Sequence, residues 1–240
     1  MEFHIECDPK DIARYVFVPG DHDRAKKIAA HFDDAYLVSE TRGYLVYSGY
    51  VEGIHMTVSS TGIGGPQVGI GIEELGHMGA DTFIRVGSCG TLQDDVTVGD
   101  IIITNGVFRG GATAHRYLSP AFPAAPDFHV LDALVKAAEA LDIDVHIGLD
   151  WSSDAFYAES DPQLVAKLKQ AGIKSIEMEA DTLFIISNFR GWRAGALFAS
   201  DGTSSEIKPA WGEEAFKRGE ENEIRIAIEA MKNIALSDQS

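Results

Sequence analysis

A chain of 240 residues with 45% hydrophobic content can bury a full core as one domain, residues 1–240. Its net charge of −17, from 37 Asp and Glu against 20 Lys and Arg, excludes a nucleic-acid binder and opposes docking on anionic membranes. With no apolar run of membrane-spanning length and no signal-peptide layout in residues 1–10, a cytoplasmic protein is expected, its acidic surface of the kind that suits high salt (a halophilic setting).

Residues 14–19 read as a strand through Tyr15, Val16, Phe17 and Val18, closed by Pro19-Gly20. Asp21 follows as a helix N-cap, and 24–32 keeps helical spacing through Ala25, Ile28, Ala29 and Phe32. A strand, a glycine and a helix N-terminus bind anions through free N–H groups, and Arg24 would face the same space. Residues 36–60 alternate with a period near two around turns at Arg42-Gly43 and Glu52-Gly53, which predicts strands. Thr61-Gly62-Ile63-Gly64-Gly65-Pro66 breaks that pattern, and Pro66 starts a helix to about Met78. No Gly-Lys-Ser/Thr follows, so the glycine run is not a Walker loop, nor does it fit a dinucleotide fingerprint.

The stretch 81–90 is the most informative. Thr82, Phe83, Ile84 and Val86 predict a buried strand that Arg85 interrupts with a fixed charge. Gly87-Ser88-Cys89-Gly90 then reads as a small-residue turn whose N–H groups and hydroxyl lie open to a ligand. A guanidinium beside such a turn suits a phosphate or other oxyanion, a structural ion pair being the plainer alternative. Cys89 and Cys7, the chain's two cysteines, form no CxxC pair or disulfide framework.

A strand at 99–108, a Gly, Ala and Pro-rich loop at 109–127, a helix at 129–141 and a strand at 145–151 come next. Ser152-Ser153-Asp154-Ala155-Phe156-Tyr157 is a polar turn with two aromatics, and 162–171 is helical. Ile176-Glu177-Met178-Glu179-Ala180 leads into an apolar helix, 193–199 is the last strand, and Ser200-Asp201-Gly202 stands at its end. A closing amphipathic helix fills 211–236, after which 237–240 should fray. Strands alternating with helices predict the α/β class: a single domain with a mixed, largely parallel central sheet flanked by helices. Ligands bind at the carboxyl ends of such strands, where Gly20, Gly62, Arg85 to Gly90, Phe156, Glu179 and Asp201 all fall.

Five ordered motifs, Val18-Pro19-Gly20-Asp21-x-Asp23-Arg24, Ser60 to Pro66, Arg85 to Gly90, Ser153-Asp154-x-Phe156-Tyr157 and Glu177-Met178-Glu179-Ala180, resemble the nucleoside phosphorylase family of hexameric type. That family includes uridine phosphorylases and bacterial-type purine nucleoside phosphorylases. The resemblance implies a phosphorylase/hydrolase-like fold and a pentosyltransferase splitting the bond between ribose C1′ and a base nitrogen. Inorganic phosphate would be a co-substrate, with no cofactor and no metal. It further implies that Gly20, Arg24, Arg85 and Ser88 hold phosphate, and that Met178 and Glu179 hold the ribose. Cys89, Gly90, Phe156, Glu177 and Asp201 would surround the base, Asp201 also acting as the catalytic proton donor. A hexamer built as a trimer of dimers would bring His4 to a neighbour's ribose site and Arg42 to its phosphate site. His22 stands where the family has proline.

Base choice divides the motifs. Residues 62–66 and Phe122-Pro123-Ala124 look like uridine phosphorylases, yet Ala158, Glu159, Ser160 and Asp161 stand where those enzymes carry a glutamine and an arginine that read uracil. Gly202 likewise replaces an arginine. Ser200-Asp201 matches the purine enzymes, although Glu214 stands where their helper arginine lies. A purine nucleoside is the expected substrate, with uridine as the alternative. A phosphate-independent nucleosidase is the rival class, which Arg24 and Arg85 oppose.

Overall fold

Three residues, Tyr15–Phe17, form β1 and are buried on both faces; the Pro19-Gly20 break then hands the chain to α1 (His22–Ala29). Asp21 caps α1 as its position predicts, its carboxylate accepting from the Arg24 N–H. This computed structural model describes residues 2–239. β2 (Asp33–Thr41), β3 (Tyr44–Val51) and β4 (Ile54–Ser59) make a meander. Both residues of each turn, Arg42-Gly43 and Glu52-Gly53, have positive φ, the geometry that matches strand twist in two-residue hairpins. α2 (Gly65–His77), β5 (Thr82–Thr91), β6 (Ile101–Arg109), α3 (Phe128–Ala140), β7 (His146–Ser152) and α4 (Pro162–Gln170) follow. β8 (Ile173–Glu177), α5 (Ala180–Arg190), β9 (Arg193–Ser200) and α6 (Glu213–Asp238) complete the order.

All strands join one sheet in the order β2-β3-β4-β1-β5-β8-β7-β6-β9, and β9 returns to pair with β5. β5, β8, β7, β6 and β9 therefore close into a ring, which alternation of strands and helices alone does not reveal. The sheet is mixed: β1 runs parallel to β4 and β5, β5 to β9, β6 to β7 and β7 to β8. The meander, β5 with β8 and β6 with β9 are antiparallel.

Closure of the ring corrects the expected turn at 87–90. β5 stays extended to Thr91, with Gly87, Ser88 and Cys89 opposite Phe198, Ala199 and Ser200, and Gly90 opposite Ile176. Small residues are needed there because the neighbours come close: a Cβ on Gly87 would stand 2.9 Å from the Phe198 ring. Part of that backbone belongs to the ladder, so side chains carry more of the site's polarity than the sequence suggests. β8 escaped sequence reading because its inward residues are Ile173, Ser175 and Glu177, an alternation with only one apolar member.

Period-two alternation sends Tyr15, Phe17, Ile84 and Val86 to one face, against Ile28, Leu134, Ile226 and Met231 of α1, α3 and α6. Val16, Val18 and Phe83 go to the other, against Val68, Ile72, Leu75, Leu183 and Ile186 of α2 and α5. The expected fraying after 236 gives way to helix through Asp238, whose carboxylate accepts from Arg193 Nη2 (2.5 Å) and Tyr15 Oη (3.0 Å). Ser240, included in that expectation, lies outside the described residues.

α6 sits on the sheet through Gly219. A Cβ there would lie 2.4 Å from the Gly99 carbonyl oxygen and 2.9 Å from its Cα, both backbone atoms that cannot swing aside. Gly219→Ala is expected to lower stability by about 1–3 kcal/mol from overpacking, outweighing alanine's better helix propensity. A thermal melt at or above wild type would mean that α6 is not seated by this contact.

Candidate active site

The ends of β1, β4, β5, β8 and β9 open on a cavity of about 720 Å³. Gly20, Arg24, Gly62, Arg85, Ser88, Cys89, Gly90, Phe156, Met178, Glu179 and Asp201 all line it, so most of the expected site is brought together. Arg24 and Arg85 in particular face the same space.

Arg85 is 4% exposed and held from several sides. Its Nη2 donates to Glu179 Oε2 (2.5 Å), its Nη1 to the Val18 carbonyl (3.4 Å), and its Nε lies 3.6 Å from Glu177 Oε2. The guanidinium also stands over the Phe198 ring, 5.9 Å from its centre. The other oxygen of Glu179 accepts from the Gly64 N–H at 2.6 Å, and Gly64 adopts φ 90. That conformation explains the glycine run better than a phosphate cradle does: it turns an amide towards the Glu179 carboxylate.

Glu177 is not the exposed helix-start carboxylate that its position allows. It is buried, accepts from the N–H groups of Glu179 (2.8 Å) and Ala180 (2.9 Å), and takes a hydrogen bond from Ser152 Oγ. Ser152 in turn accepts from the Asp181 N–H at 2.9 Å, closing the start of α5. Burial pushes the Glu177 carboxyl well above its ordinary range, and the neighbouring Asp150 and Glu179 add to the shift. Glu177 does line a second cavity of about 340 Å³, which shares Gly90, Phe156, Ile176, Met178 and Asp201 with the first.

Arg24 is 5% exposed in the first turn of α1. Its Nε donates to Glu220 Oε1 (3.0 Å) and lies 3.3 Å from Glu223 Oε1, while Nη1 reaches the Val86 carbonyl (3.4 Å). Lys27, one turn on, pairs with the other oxygen of Glu220. Burial raises the Glu223 carboxyl well above its ordinary value, and Arg24 opposes that shift. Sequence reading missed Glu220 and Glu223, although a signal exists: Glu223 shares a helical stripe with Ile226, Ala227, Ala230 and Ile234, where a charge needs a partner.

Asp201 follows β9, with its N–H donated to the Cys89 carbonyl at 2.9 Å. Its carboxylate lies 3.3 Å from Lys208 Nζ, a partner that sequence reading also missed. Burial raises the Asp201 carboxyl above its ordinary value, and Lys208 pulls it back. Burial raises the Cys89 thiol well above its ordinary value, and Asp150 and Asp201 raise it further, which disfavours the thiolate. Phe156, 54% exposed, and Met178 form part of the cavity's apolar wall.

His4 and Arg42 do not line the cavity of their own chain. His4 Nδ1 lies 2.6 Å from Glu74 Oε1, and Arg42 is exposed at the β2–β3 turn. The 109–127 loop is tied down: Arg109 donates to the carbonyls of Ser119 (2.5 Å), Phe122 (2.8 Å) and Leu118 (2.9 Å). Among the described residues no helix is long and apolar enough to cross a membrane.

A partly closed α/β sheet whose strand ends gather two buried arginines and a buried glutamate around one cavity is the arrangement that the motifs imply. The chain belongs to the phosphorylase superfamily, which matches residues 14–235. It is 40% identical over 254 residues to the uridine phosphorylase of Thermococcus kodakarensis, covering 100% of this chain and 88% of that protein. It is 41% identical over 199 residues to the guanosine phosphorylase of Halorubrum lacusprofundi, covering 83% and 82%. The crystal structure of uridine phosphorylase from Vibrio fischeri superposes with a TM-score of 0.91 at 31% identity, over 96% of each chain.

Proposed function

We propose that this nucleoside phosphorylase cleaves uridine, with phosphate, to uracil and ribose 1-phosphate. The observation that carries the reading is that Arg24, Arg85 and Glu179 line one cavity. In the reaction the C1′–N bond breaks and the base leaves with its electron pair, while a phosphate oxygen bonds to C1′. Arg24, Arg85, Ser88 and the Gly20 backbone hold the phosphate by charge-assisted hydrogen bonds, and Glu179 accepts from the ribose 2′- and 3′-hydroxyls. Met178 packs on the sugar, and Phe156, Cys89, Gly90 and Glu177 bound the base region beside Asp201. Rate enhancement then comes from positioning and fixed charge, without a covalent intermediate.

The expected preference for a purine yields to uridine, because the Thermococcus, Treponema pallidum and Escherichia coli relatives all carry that name at 40%, 38% and 33% identity. Guanosine is the second reading, favoured by Asp201 and by the Halorubrum relative. His4 and Arg42, which do not line their own chain's cavity, are assigned to a neighbour's site in a hexamer. A panel of uridine, guanosine, inosine and adenosine, assayed with and without phosphate at several salt concentrations, tests the reading. Ribose 1-phosphate is expected only when phosphate is supplied, with uridine the best substrate. Equal turnover in phosphate-free buffer would make the protein a nucleosidase instead.

A further inference from the structure

The loop after β9 folds back on itself. Ser200 Oγ donates to the Gly202 carbonyl (2.8 Å), Gly202 bridges to Ile207, and the Thr203 N–H donates to the Glu206 carbonyl (2.8 Å). The Lys208 N–H then donates to the Asp201 carbonyl at 3.0 Å, returning the chain to its start. Lys208 takes φ 48, a left-handed conformation unfavourable for a lysine, yet it delivers the ammonium to within 3.3 Å of the Asp201 carboxylate. The pair is unequal: Asp201 is 15% exposed and Lys208 65%, so the lysine leans over a carboxylate that the fold has already fixed. Both line the larger cavity, beside the apolar walls of Phe156, Ile176, Met178 and Phe216.

An acceptor and a donor side by side at an apolar slot tell nucleobase edges apart once the glycosidic bond, held at C1′, fixes which way round the base lies. A ring N–H next to a C=O satisfies both, the N–H giving to the carboxylate and the oxygen taking from the ammonium. Uracil presents that edge at N3–H and O4, and guanine and hypoxanthine present it at N1–H and O6. In that same orientation cytosine and adenine reverse it: a ring-nitrogen lone pair would meet the carboxylate and an amino group would meet the ammonium, two repulsions in place of two bonds. We propose that Lys208, paired with Asp201, is the specificity residue that selects oxo bases and rejects amino bases. The inference rests on the phosphorylase reading above but not on the choice between uridine and guanosine. It also gives Lys208 a part in bond cleavage: the electron pair leaving with the base spreads onto the carbonyl oxygen that the ammonium holds.

The experiment compares phosphorolysis of uridine with cytidine, and of guanosine and inosine with adenosine, in wild type and in Lys208→Met, Lys208→Arg and Asp201→Asn. Wild type is expected to favour the oxo member of each pair by about 10³-fold or more, as for a site built to hydrogen-bond its substrate. Lys208→Met should lose about 10²-fold in kcat/KM for the oxo nucleosides while the KM for phosphate holds, and Lys208→Arg, which keeps a donor, should recover most of it. Asp201→Asn, able to donate to a ring nitrogen, should narrow the preference. Thermal melts of each variant separate misfolding from lost recognition. Equal cleavage of uridine and cytidine, or a Lys208→Met enzyme with unchanged preference, would overturn this inference alone. No ribose 1-phosphate from any nucleoside would instead overturn the phosphorylase reading on which it stands.

Discussion

Arg85→Ala is expected to lower kcat/KM for phosphorolysis by about 10³-fold and to cost about 3–5 kcal/mol of folding stability. The two losses share one cause. The guanidinium is buried against Glu179 at 2.5 Å and near Glu177 at 3.6 Å, and the fully buried Asp150 feels its charge as well. Its removal leaves a nest of buried carboxylates without their counter-charge. In the function proposed above the activity loss follows because the phosphate contact of Arg85 and the orientation of Glu179 disappear together. Arg85→Lys separates the contributions: a lysine keeps the charge, so most stability should return. It cannot reproduce the planar fork, so KM for phosphate should stay high. Initial rates at varied phosphate, alongside denaturant unfolding, check both halves. Wild-type rates in Arg85→Ala would take Arg85 out of the site.

A common device surrounds both arginines. Arg85 lies between Glu177 and Glu179, and Arg24 lies between Glu220 and Glu223. In a chain of net charge −17, the two buried guanidinium groups that line the cavity each sit within their own acidic cage. The cage fixes the fork's orientation and removes the penalty of an unpaired buried cation, while burial raises the Glu177 and Glu223 carboxyls and each arginine opposes that shift. Glu223 of α6, which does not itself line the cavity, thus holds Arg24 from behind.

Much of this was legible in residue order. Asp21 capping, the two hairpin turns and the gathering of Gly20, Arg85, Glu179 and Asp201 at the strand ends all follow from local rules: side-chain capping, positive φ at two-residue turns, and ligands at carboxyl ends of strands. What stayed hidden depends on contacts far apart in the chain. Gly87 to Gly90 read as a turn because nothing local announces that β9, more than 100 residues later, will extend the strand. Glu220 acquires meaning only when α6 crosses Arg24, the apolar stripe around Glu223 names no partner for it, and Lys208 matters only when its loop returns to Asp201. Long-range closure, not propensity, decides such residues.

Glu179→Gln is expected to reduce kcat/KM by about 10²–10³-fold and to lower stability too, by less than Arg85→Ala does, because Glu177 still faces the guanidinium and glutamine keeps the shape and one oxygen to accept from the Gly64 N–H. What goes is the charge, and with it both the ion pair to Arg85 and the capacity to accept from two ribose hydroxyls at once. Removing the 2′-hydroxyl from the substrate removes one of those acceptances, so the defect should shrink with a 2′-deoxynucleoside. The double variant Arg85→Ala/Glu179→Gln then tests whether the two act as a unit. If Arg85 works partly by aligning Glu179, the losses should fall short of additive by about 0.5–3 kcal/mol, the range for residues in direct contact. Strict additivity, together with an equal defect on ribo- and deoxyribonucleosides, would place Glu179 outside the sugar site and leave Arg85 to act on phosphate alone.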